Sequence, residues 1–293
     1  MQPFYTYPEL GGLPTDARLG VIGNPIAHSK SPQMQQAALD AAGAGLRYVR
    51  LLAGLEEGDF ETLLAALAER AFVGVNVTVP FKKKACAAAC RRDALSRLCG
   101  AANTLRHTPE GWEAFNTDGP GFSRAIEELG GRPLSSLRIV LLGACGGAGS
   151  ALACQCALSG CASLALVNRP RPQLQELADT LATCFPAEKL SCCHFDSPAL
   201  RETVQQADLV VNATSLGLHP GDALPLPPEY LRPGQMVYDI VTHDTPLAAA
   251  AAERGCIAST GLRMLLWQGA FAFRHWLGYM PDIAAMEHGL AHA

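Results

Sequence analysis

The chain has 293 residues, of which 49% are hydrophobic and 17% are charged, and its formal net charge at pH 7 is −4. This composition predicts packed globular structure and excludes intrinsic disorder, and the length allows one large domain or two ordinary ones. A weakly negative charge gives no general attraction to nucleic acid or to an anionic membrane, so we expect neither as a partner.

Apolar runs alternate with helical stretches along the chain, a pattern typical of an α/β fold with mostly parallel sheets. In the first part it predicts strands over 19–23, 47–52 and 72–79, helices from Ser31 and over 55–70, and a hairpin of 103–107 with 112–115. In the second part it predicts strands over 137–143, 163–168, 208–213, 236–240 and 256–259. It also predicts helices over 119–129, 173–185, 245–254 and 262–277, and a helix that follows the strand over 137–143 and ends near Ser159. We therefore predict two domains, 1–118 joined by 263–293, and 119–262, with the last helix returning to the first domain.

Neither a membrane segment nor a metal site is expected. No apolar stretch reaches the roughly 20 residues that span a bilayer, and residues 1–5 lack the basic and apolar blocks of a signal peptide, so we expect a cytoplasmic protein. The eleven cysteines contain no Cys-x-x-Cys pair. We interpret Cys192 and Cys193, which precede His194, as small buried thiols rather than metal ligands.

A glycine-rich segment predicts a nucleotide site. Residues 137–149 read LRIVLLGACGGAG, an apolar strand, a glycine turn and the start of a helix. Glycines let the backbone approach a pyrophosphate, and the helix N-terminus offers free N–H groups. A tight strand–helix connection is the alternative, but a second strand follows at the spacing of a βαβ dinucleotide unit. The predicted contacts are Gly143, Ala144, Gly146, Gly147 and Ala148.

The end of that second strand favours NADP over NAD. An acidic residue at this point would accept hydrogen bonds from the ribose hydroxyls of NAD. The chain instead reads NRPR, with Asn168, Arg169 and Arg171, and has no carboxylate before Glu176. Guanidinium groups suit a 2′-phosphate because they offer a fixed, charged donor fork. Surface arginines on a loop are the alternative.

Four segments of the first domain place polar residues beside apolar strands. They read GNPIAHSKSP at 23–32, NVTVPFK at 76–82, GAANT at 100–104 and NTDG at 116–119. A single Lys or Asp is ordinarily a solvated surface charge. Here Lys82 closes a predicted buried strand and Asp118 lies at the domain junction, so we expect both to face a cleft within reach of a nicotinamide ring.

In this order the four segments resemble the motifs of the shikimate dehydrogenase family. The similarity continues with NATSLGL at 212–218, YD at 238–239, TPL at 245–247 and a Gly-x-x-Met-x-x-x-Gln pattern at 261–268, and it covers the chain from about Leu19 onward. The resemblance implies a substrate-binding α/β domain and a Rossmann-type NADP-binding domain. It also implies the oxidation of a small cyclic hydroxy acid.

The resemblance implies the roles of individual residues. Lys82 and Asp118 look like the family's catalytic pair, and the chemistry agrees, because hydride leaves a carbinol carbon only as the hydroxyl proton is removed. In the reverse direction the lysine ammonium would polarise the ketone. The binding residues implied in the same way are Ser29 and Ser31 for the substrate carboxylate, Thr78, Asn103 and Gln268 with Asn76 assisting for the ring hydroxyls, and Thr214 and Gly261 for the cofactor.

Three features depart from the family pattern. Gln35 and Gln36 stand where His-Asn is usual, and we interpret this change as part of the scaffold. Cys145 is inserted in the glycine turn, where it would alter how a pyrophosphate sits. The loop at 242–244 lacks the family's substrate-contacting Tyr, and we expect His243 to substitute for it in part.

The leading hypothesis is NADP-dependent, reversible oxidation of shikimate to 3-dehydroshikimate by a monomer or homodimer. Oxidation of quinate or aminoshikimate, with NAD or NADP, is the alternative within the same chemistry. A non-catalytic nucleotide-binding regulator that has kept the fold is the alternative from another class. The retention of Lys82, Asp118, Ser29 and Ser31 opposes it, because a regulator needs no proton transfer.

Overall fold

The structure, a computed structural model, describes residues 4–293, so the first three residues of the segment tested for a signal peptide lie outside the described residues. The chain divides into two compact units. Unit 1 runs up to Thr117 and takes in Leu266–Ala293, whereas unit 2 is the uninterrupted stretch Asp118–Leu265. These bounds differ by one and three residues from the domain limits of 118 and 263 predicted above.

Unit 1 begins with a short 3-10 helix at Tyr7–Gly12 and continues as alternating strands and helices. Its elements up to Thr117 are β1 (Ala17–Gly23), α1 (Ser31–Ala41), β2 (Arg47–Leu52), α2 (Asp59–Glu69), β3 (Gly74–Val77), α3 (Lys82–Ala88), β4 (Arg91–Arg92), α4 (Ala94–Cys99), β5 (Thr104–Thr108) and β6 (Gly111–Phe115).

Local sequence explains these helices. In α2 the buried residues Phe60, Leu63, Leu64 and Leu67 recur at helical spacing, so one apolar stripe faces the core. Helix α4 is short and is fixed at its start by Asp93, whose side chain accepts a hydrogen bond from the Ser96 N–H at 2.7 Å.

The unit 1 sheet has the strand order β2-β1-β3-β5-β6-β4. Strands β2, β1 and β3 are parallel, and β5 and β6 form the predicted hairpin, which is joined to β3 in antiparallel pairing. The chain leaves β1 toward β2 on one side and returns to β3 on the other. Ligands in open α/β sheets bind outside the carboxyl ends of strands at such a reversal of strand order, which here lies between β1 and β3.

Unit 2 has a fully parallel six-stranded sheet. Its elements are α5 (Asp118–Gly130), β7 (Arg138–Leu142), α6 (Gly147–Leu158), β8 (Ser163–Asn168), α7 (Pro172–Ala182), β9 (Leu190–His194), α8 (Leu200–Gln206), β10 (Leu209–Asn212), β11 (Met236–Asp239), α9 (Pro246–Glu253) and β12 (Ile257–Ser259). Short 3-10 turns lie at Leu134–Ser136, Ala187–Lys189 and Pro228–Tyr230.

The strand order of unit 2 is β12-β11-β10-β7-β8-β9, so its reversal point lies between β7 and β10. Both strands are fully buried and apolar except at their ends, as expected for a sheet covered on both faces. This is the doubly wound arrangement in which dinucleotides bind at the carboxyl ends of the two central strands.

Two helices complete the chain. Helix α10 (Leu262–Leu277) starts in unit 2, and its residues from Leu266 onward belong to unit 1, together with α11 (Ile283–Ala291). Within unit 1, the Trp276 indole N–H donates to the Leu105 carbonyl at 2.9 Å, which ties α10 to β5. The predicted return of the last helix to the first part of the chain is confirmed.

Two of the predicted segments are shorter in the structure. The strand predicted over 72–79 is shorter, and Lys82 does not close it, because residues 78–81 form a turn and Lys82 begins α3. The helix predicted over 55–70 begins only at Asp59, after Gly58 in a left-handed conformation. Within residues 4–293, no helix is both long and apolar enough to cross a membrane.

Candidate functional site

The two serines predicted to bind a carboxylate lie together at the start of α1. The Ser31 backbone N–H donates to the Ser29 Oγ at 3.3 Å, and the Ser29 N–H donates to the Ile26 carbonyl at 3.1 Å. Ser31 is buried and Ser29 is half-buried. Because the Ser29 hydroxyl accepts from Ser31, its own proton remains available for a ligand. Residues 29–31, hereafter the serine turn, thus offer hydroxyl donors at a helix N-terminus, which favours negative charge.

Thr78 lies across the sheet reversal from the serine turn. Its N–H donates to the Ile22 carbonyl at 2.9 Å, which holds the turn after β3 against the end of β1. A Cβ at Gly23 would come within 2.5 Å of the Thr78 Cγ2, so glycine at this position permits the close approach. The segments that carry Ser29, Ser31 and Thr78 therefore meet at the carboxyl ends of neighbouring strands.

Asn103 is the centre of a buried polar cluster in unit 1. Its Oδ1 accepts hydrogen bonds from the Thr117 N–H at 2.7 Å, from the Thr117 hydroxyl at 3.1 Å and from the Thr104 hydroxyl at 3.2 Å. Its Nδ2 donates to the Gln268 Oε1 at 3.3 Å. Asn103 and Gln268 are separated by 165 positions in sequence, yet the fold brings these two predicted substrate-binding residues into contact.

Asn76 supports this cluster from β3. Its Oδ1 accepts a hydrogen bond from the Tyr48 hydroxyl at 2.7 Å, and its Nδ2 donates to the Asn103 carbonyl at 3.2 Å and to the Thr104 hydroxyl at 3.1 Å. Burial raises the pKa of the Tyr48 hydroxyl well above its usual value, so the phenol stays protonated and remains a donor. The contacts of Asn76 are therefore with protein groups that hold Asn103 in place.

Lys82 and Asp118 each begin a helix. Lys82 is half-buried, and its carbonyl accepts the Ala102 N–H at 2.9 Å, next to Asn103. Asp118, the first residue of α5, is buried with 7% exposure, and it follows Thr117, whose N–H is bound to Asn103. An amine and a buried carboxyl are both groups that transfer protons in catalysis.

In unit 2, the glycine turn has the geometry expected of a phosphate cradle. Gly143 has a φ of +77°, and a Cβ there would lie 2.8 Å from the Ala213 carbonyl oxygen and the Thr214 nitrogen. A Cβ at Gly149 would lie 2.2 Å from the Gly143 oxygen, so the first turn of α6 packs directly on the turn before it. By contrast, a Cβ at Gly147 would meet nothing within 4 Å, which leaves open space in front of the helix N-terminus.

The loop after β10 supplies the other side of this cradle. Asn212 Oδ1 accepts hydrogen bonds from the Thr214 N–H at 3.0 Å and from its hydroxyl at 2.7 Å. Ala144, like Gly143, is buried, whereas Gly146 and Gly147 are exposed and Ala148 is half-buried. Gly261 follows β12, and a Cβ there would lie 2.1 Å from the Ile240 oxygen, so only glycine fits without a shift. The glycine turn after β7 and the loop after β10 thus lie side by side at the carboxyl ends of the two central strands.

The end of β8 presents positive charge beside the turn. Asn168 is buried and its Nδ2 donates to the Arg169 carbonyl at 3.1 Å, while Arg169 and Arg171 are exposed. Burial raises the pKa of the Cys145 thiol, and the positive charge of Arg171 opposes that shift. Arg171 therefore acts electrostatically on the glycine turn into which Cys145 is inserted.

The interpretation of Cys192 and Cys193 as buried thiols is wrong. They lie on β9, the edge strand of the unit 2 sheet, where Cys192 is exposed and Cys193 half-buried. The edge position explains the error, since an edge strand carries side chains that the sheet does not cover. Among the described residues, no group of three or more His, Cys, Asp or Glu is arranged to hold a metal ion.

Two departures from the family pattern have clear structural roles. Gln35 is fully buried, and its Nε2 donates to the Gly269 carbonyl at 2.9 Å, so its role in the scaffold is confirmed. The His243 Nε2 lies 3.0 Å from the Gly217 carbonyl, within unit 2. That contact holds the imidazole against the loop after β10.

The sequence did not reveal the residues that hold the cluster together. Tyr48 and Thr104 are missing from the predicted site, and Thr117 appeared only as part of the NTDG segment. Their partners are 28 and 14 positions away in sequence. The only available signal was the position of Thr104 and Thr117 inside polar segments next to predicted site residues.

Comparisons with known proteins agree with this architecture. Residues 21–105 match the family model described as the shikimate dehydrogenase substrate binding domain, and residues 261–288 match that of the shikimate 5′-dehydrogenase C-terminal domain. A shikimate dehydrogenase (NADP(+)) from Moorella thermoacetica is 41% identical over 279 residues, which cover 94% of this chain and 92% of the relative.

Two solved structures are similar over nearly the whole chain. The shikimate 5-dehydrogenase from Listeria monocytogenes, in complex with shikimate and NAD, has a TM-score of 0.84 at 29% identity and covers 93% of this chain and 96% of its own. The enzyme from Thermus thermophilus, in complex with NADP(H) and shikimate, has a TM-score of 0.79 at 34% identity and covers 94% and 99%. Identity of 41% to a relative along nearly the entire length establishes that this chain belongs to the shikimate dehydrogenase family, with its two-domain, Rossmann-type fold.

Proposed function

We propose that this protein catalyses the reversible, NADP-dependent oxidation of shikimate to 3-dehydroshikimate. The structural observation that carries the proposal is the buried cluster around Asn103, which brings amide and hydroxyl groups together beside the segment that starts α3. A cyclic polyol needs paired donors and acceptors of this kind. Family membership supplies the reaction class.

Unit 1 is the proposed substrate-binding domain. The serine turn would bind the carboxylate through the Ser29 and Ser31 hydroxyls, since both lie at the N-terminus of α1. Thr78, Asn103 and Gln268 would bind ring hydroxyls. Asn76 would act by holding Asn103, because its amide nitrogen already donates to two protein acceptors, the Asn103 carbonyl and the Thr104 hydroxyl.

Lys82 and Asp118 are the proposed proton-transfer pair. The Lys82 amine would accept the proton of the reacting hydroxyl as the carbinol carbon loses hydride, and the Asp118 carboxylate would stabilise the resulting ammonium. In the reverse direction, the ammonium would donate to the carbonyl oxygen and polarise the ketone. Two hydrogen bonds support this assignment. The Lys82 carbonyl accepts the Ala102 N–H, and the Asn103 side chain accepts the N–H of Thr117, the residue before Asp118.

Unit 2 is the proposed cofactor-binding domain. When bound, NADP⁺ supplies the hydride acceptor of the reaction. The glycine turn, from Gly143 to Ala148, would hold the pyrophosphate with its backbone N–H groups, and Thr214 and Gly261 would line the same site. Asn168, Arg169 and Arg171 would bind the adenosine ribose and its 2′-phosphate.

A substrate panel tests this proposal. Purified protein is mixed with shikimate or quinate and with NADP⁺ or NAD⁺, and the absorbance of the reduced nicotinamide is followed. We expect the highest kcat/KM with shikimate and NADP⁺. A higher value with quinate would reassign the substrate, and no signal with any cyclic polyol acid would overturn the proposed reaction. A cytoplasmic location and a monomeric or dimeric state stay predictions.

A further inference from the structure

Arg50 makes contacts that link β2 to the serine turn. Its Nη2 donates to the Ser29 carbonyl at 2.7 Å and to the Gln33 Oε1 at 3.0 Å. Arg50 pairs with Val21 across the parallel strands, so its side chain starts from the sheet and reaches over the end of β1. The guanidinium therefore fixes Ser29, just before the start of α1, and Gln33 in the first turn of that helix.

The guanidinium is held there without a carboxylate partner. Among residues 4–293 no Asp or Glu forms an ion pair or hydrogen bond with Arg50, and its buried Nε has no hydrogen-bond partner. Arg50 is half-buried, and this burial lowers the pKa of its guanidinium. Burying an unpaired donor and an unneutralised charge is unfavourable for folding alone. The two side-chain hydrogen bonds of Arg50 go to the serine turn and to the first turn of α1 that follows it.

We propose that Arg50 is a positioning residue for substrate binding, which orients the serine turn toward the substrate carboxylate and adds favourable positive charge to it. This inference rests on the proposed function, because it takes the serine turn as the carboxylate site. The Ser29 carbonyl is fixed by Arg50, and the Ser29 hydroxyl is fixed by the Ser31 N–H. Loss of Arg50 removes the first of these restraints and the charge together.

The test compares Arg50→Met, Arg50→Lys and a control, Arg18→Met, by steady-state kinetics with shikimate and with its uncharged methyl ester. Arg18, which lies on β1 itself, is also a half-buried arginine, but its guanidinium donates to the Ala17 carbonyl at the start of that strand, away from the serine turn. Arg50→Met should raise the KM for shikimate about tenfold or more, as expected when a charge-assisted hydrogen bond is lost, with little change in kcat. The KM for NADP⁺ should not change.

The methyl ester separates positioning from a general structural effect. The preference of the wild type for shikimate over the ester should shrink in Arg50→Met, and Arg50→Lys, which keeps the charge but not the planar fork, should lie between the two. Arg18→Met should match the wild type. An equal rise in KM for acid and ester, or an unchanged KM in Arg50→Met, would overturn the inference.

Two further outcomes keep the test decisive. If Arg50→Met does not fold, Arg50→Lys decides alone. If Arg50→Lys prefers shikimate over the methyl ester as strongly as the wild type does, the inference is contradicted. If the wild type itself does not oxidise shikimate, the proposed function fails and the inference falls with it. Wild-type activity with an unaffected Arg50→Met variant would instead leave the function standing and remove the inference.

Discussion

Gly143 offers a sharp test of the cofactor cradle, because its replacement by alanine should disturb both stability and nucleotide binding. The residue has a φ of +77°, and a Cβ there would lie 2.8 Å from the Ala213 oxygen and the Thr214 nitrogen. Both are backbone atoms of the neighbouring loop, so they cannot move aside as the end of a flexible side chain can. Gly143→Ala must therefore shift one of the two loops that form the cradle.

The size of the effect follows from two contributions. A left-handed conformation costs about 1–2 kcal/mol for a residue with a Cβ, and forcing an extra carbon into a packed position costs about 1–3 kcal/mol. Together they predict a loss of roughly 2–5 kcal/mol in the free energy of unfolding. For a domain of this size, that corresponds to a fall in Tm of roughly 5–15 °C.

The assay pairs thermal unfolding with titration of NADPH binding by fluorescence. Gly147→Ala is the matched control, because residue 147 is helical and a Cβ there meets nothing within 4 Å. We expect its Tm to equal or slightly exceed that of the wild type, while its Kd for NADPH rises because the new methyl fills the open space. A Gly143→Ala protein with wild-type Tm and wild-type Kd would refute the reasoning.

Three further predictions concern the proposed chemistry. Lys82→Ala should lower kcat about 10²–10⁴-fold, the usual contribution of acid–base catalysis. Replacing the exposed neighbour Lys83 by alanine should leave kcat unchanged. A Lys82→Ala enzyme with wild-type kcat would contradict the assignment. Arg171→Ser should raise the KM for NADP⁺ about tenfold, by loss of a charge-assisted contact, but leave that for NAD⁺ nearly unchanged; equal effects on both cofactors would exclude a 2′-phosphate contact. Asn103→Ala should lower the free energy of unfolding by about 1–3 kcal/mol in urea titrations, since it leaves the buried Thr117 N–H unpaired, and an unchanged midpoint would show that the cluster is not structural.

Much of the fold could be predicted because its strands are short apolar runs bounded by Gly, Pro or Asn. The strand Arg47–Leu52 and the last long helix have the predicted limits. Other elements were not predicted, and three of them show why. Helix α3, KKKACAA, and the edge strand β9, LSCCH, carry no apolar periodicity of their own, and α11 consists largely of small residues. Their structure depends on packing against elements distant in sequence.

The candidate site, too, could be predicted where its conformation is local and could not be predicted where it depends on contacts between residues distant in sequence. The glycine turn could be recognised from sequence because its conformation is local, and Gly143 has the positive φ that such a turn requires. The contacts of Asn103 with Gln268 and of Arg50 with Ser29 join residues separated by 165 and 21 positions. No local pattern encodes contacts of this kind, so the support that positions the predicted residues emerged only from the fold.

The discontinuity of unit 1 has a consequence for synthesis of the protein on the ribosome. Unit 2 is one uninterrupted stretch whose residues are all present once residue 265 has emerged, whereas unit 1, although its first part is translated earlier, lacks α11 and most of α10 until residues 266–293 are made. In the meantime the Gly269 carbonyl that binds Gln35 and the indole that binds Leu105 are absent. The residues of unit 2 are therefore complete before those of unit 1, and a nascent chain stalled before residue 266 should present to chaperones a first sheet that lacks α11 and most of α10.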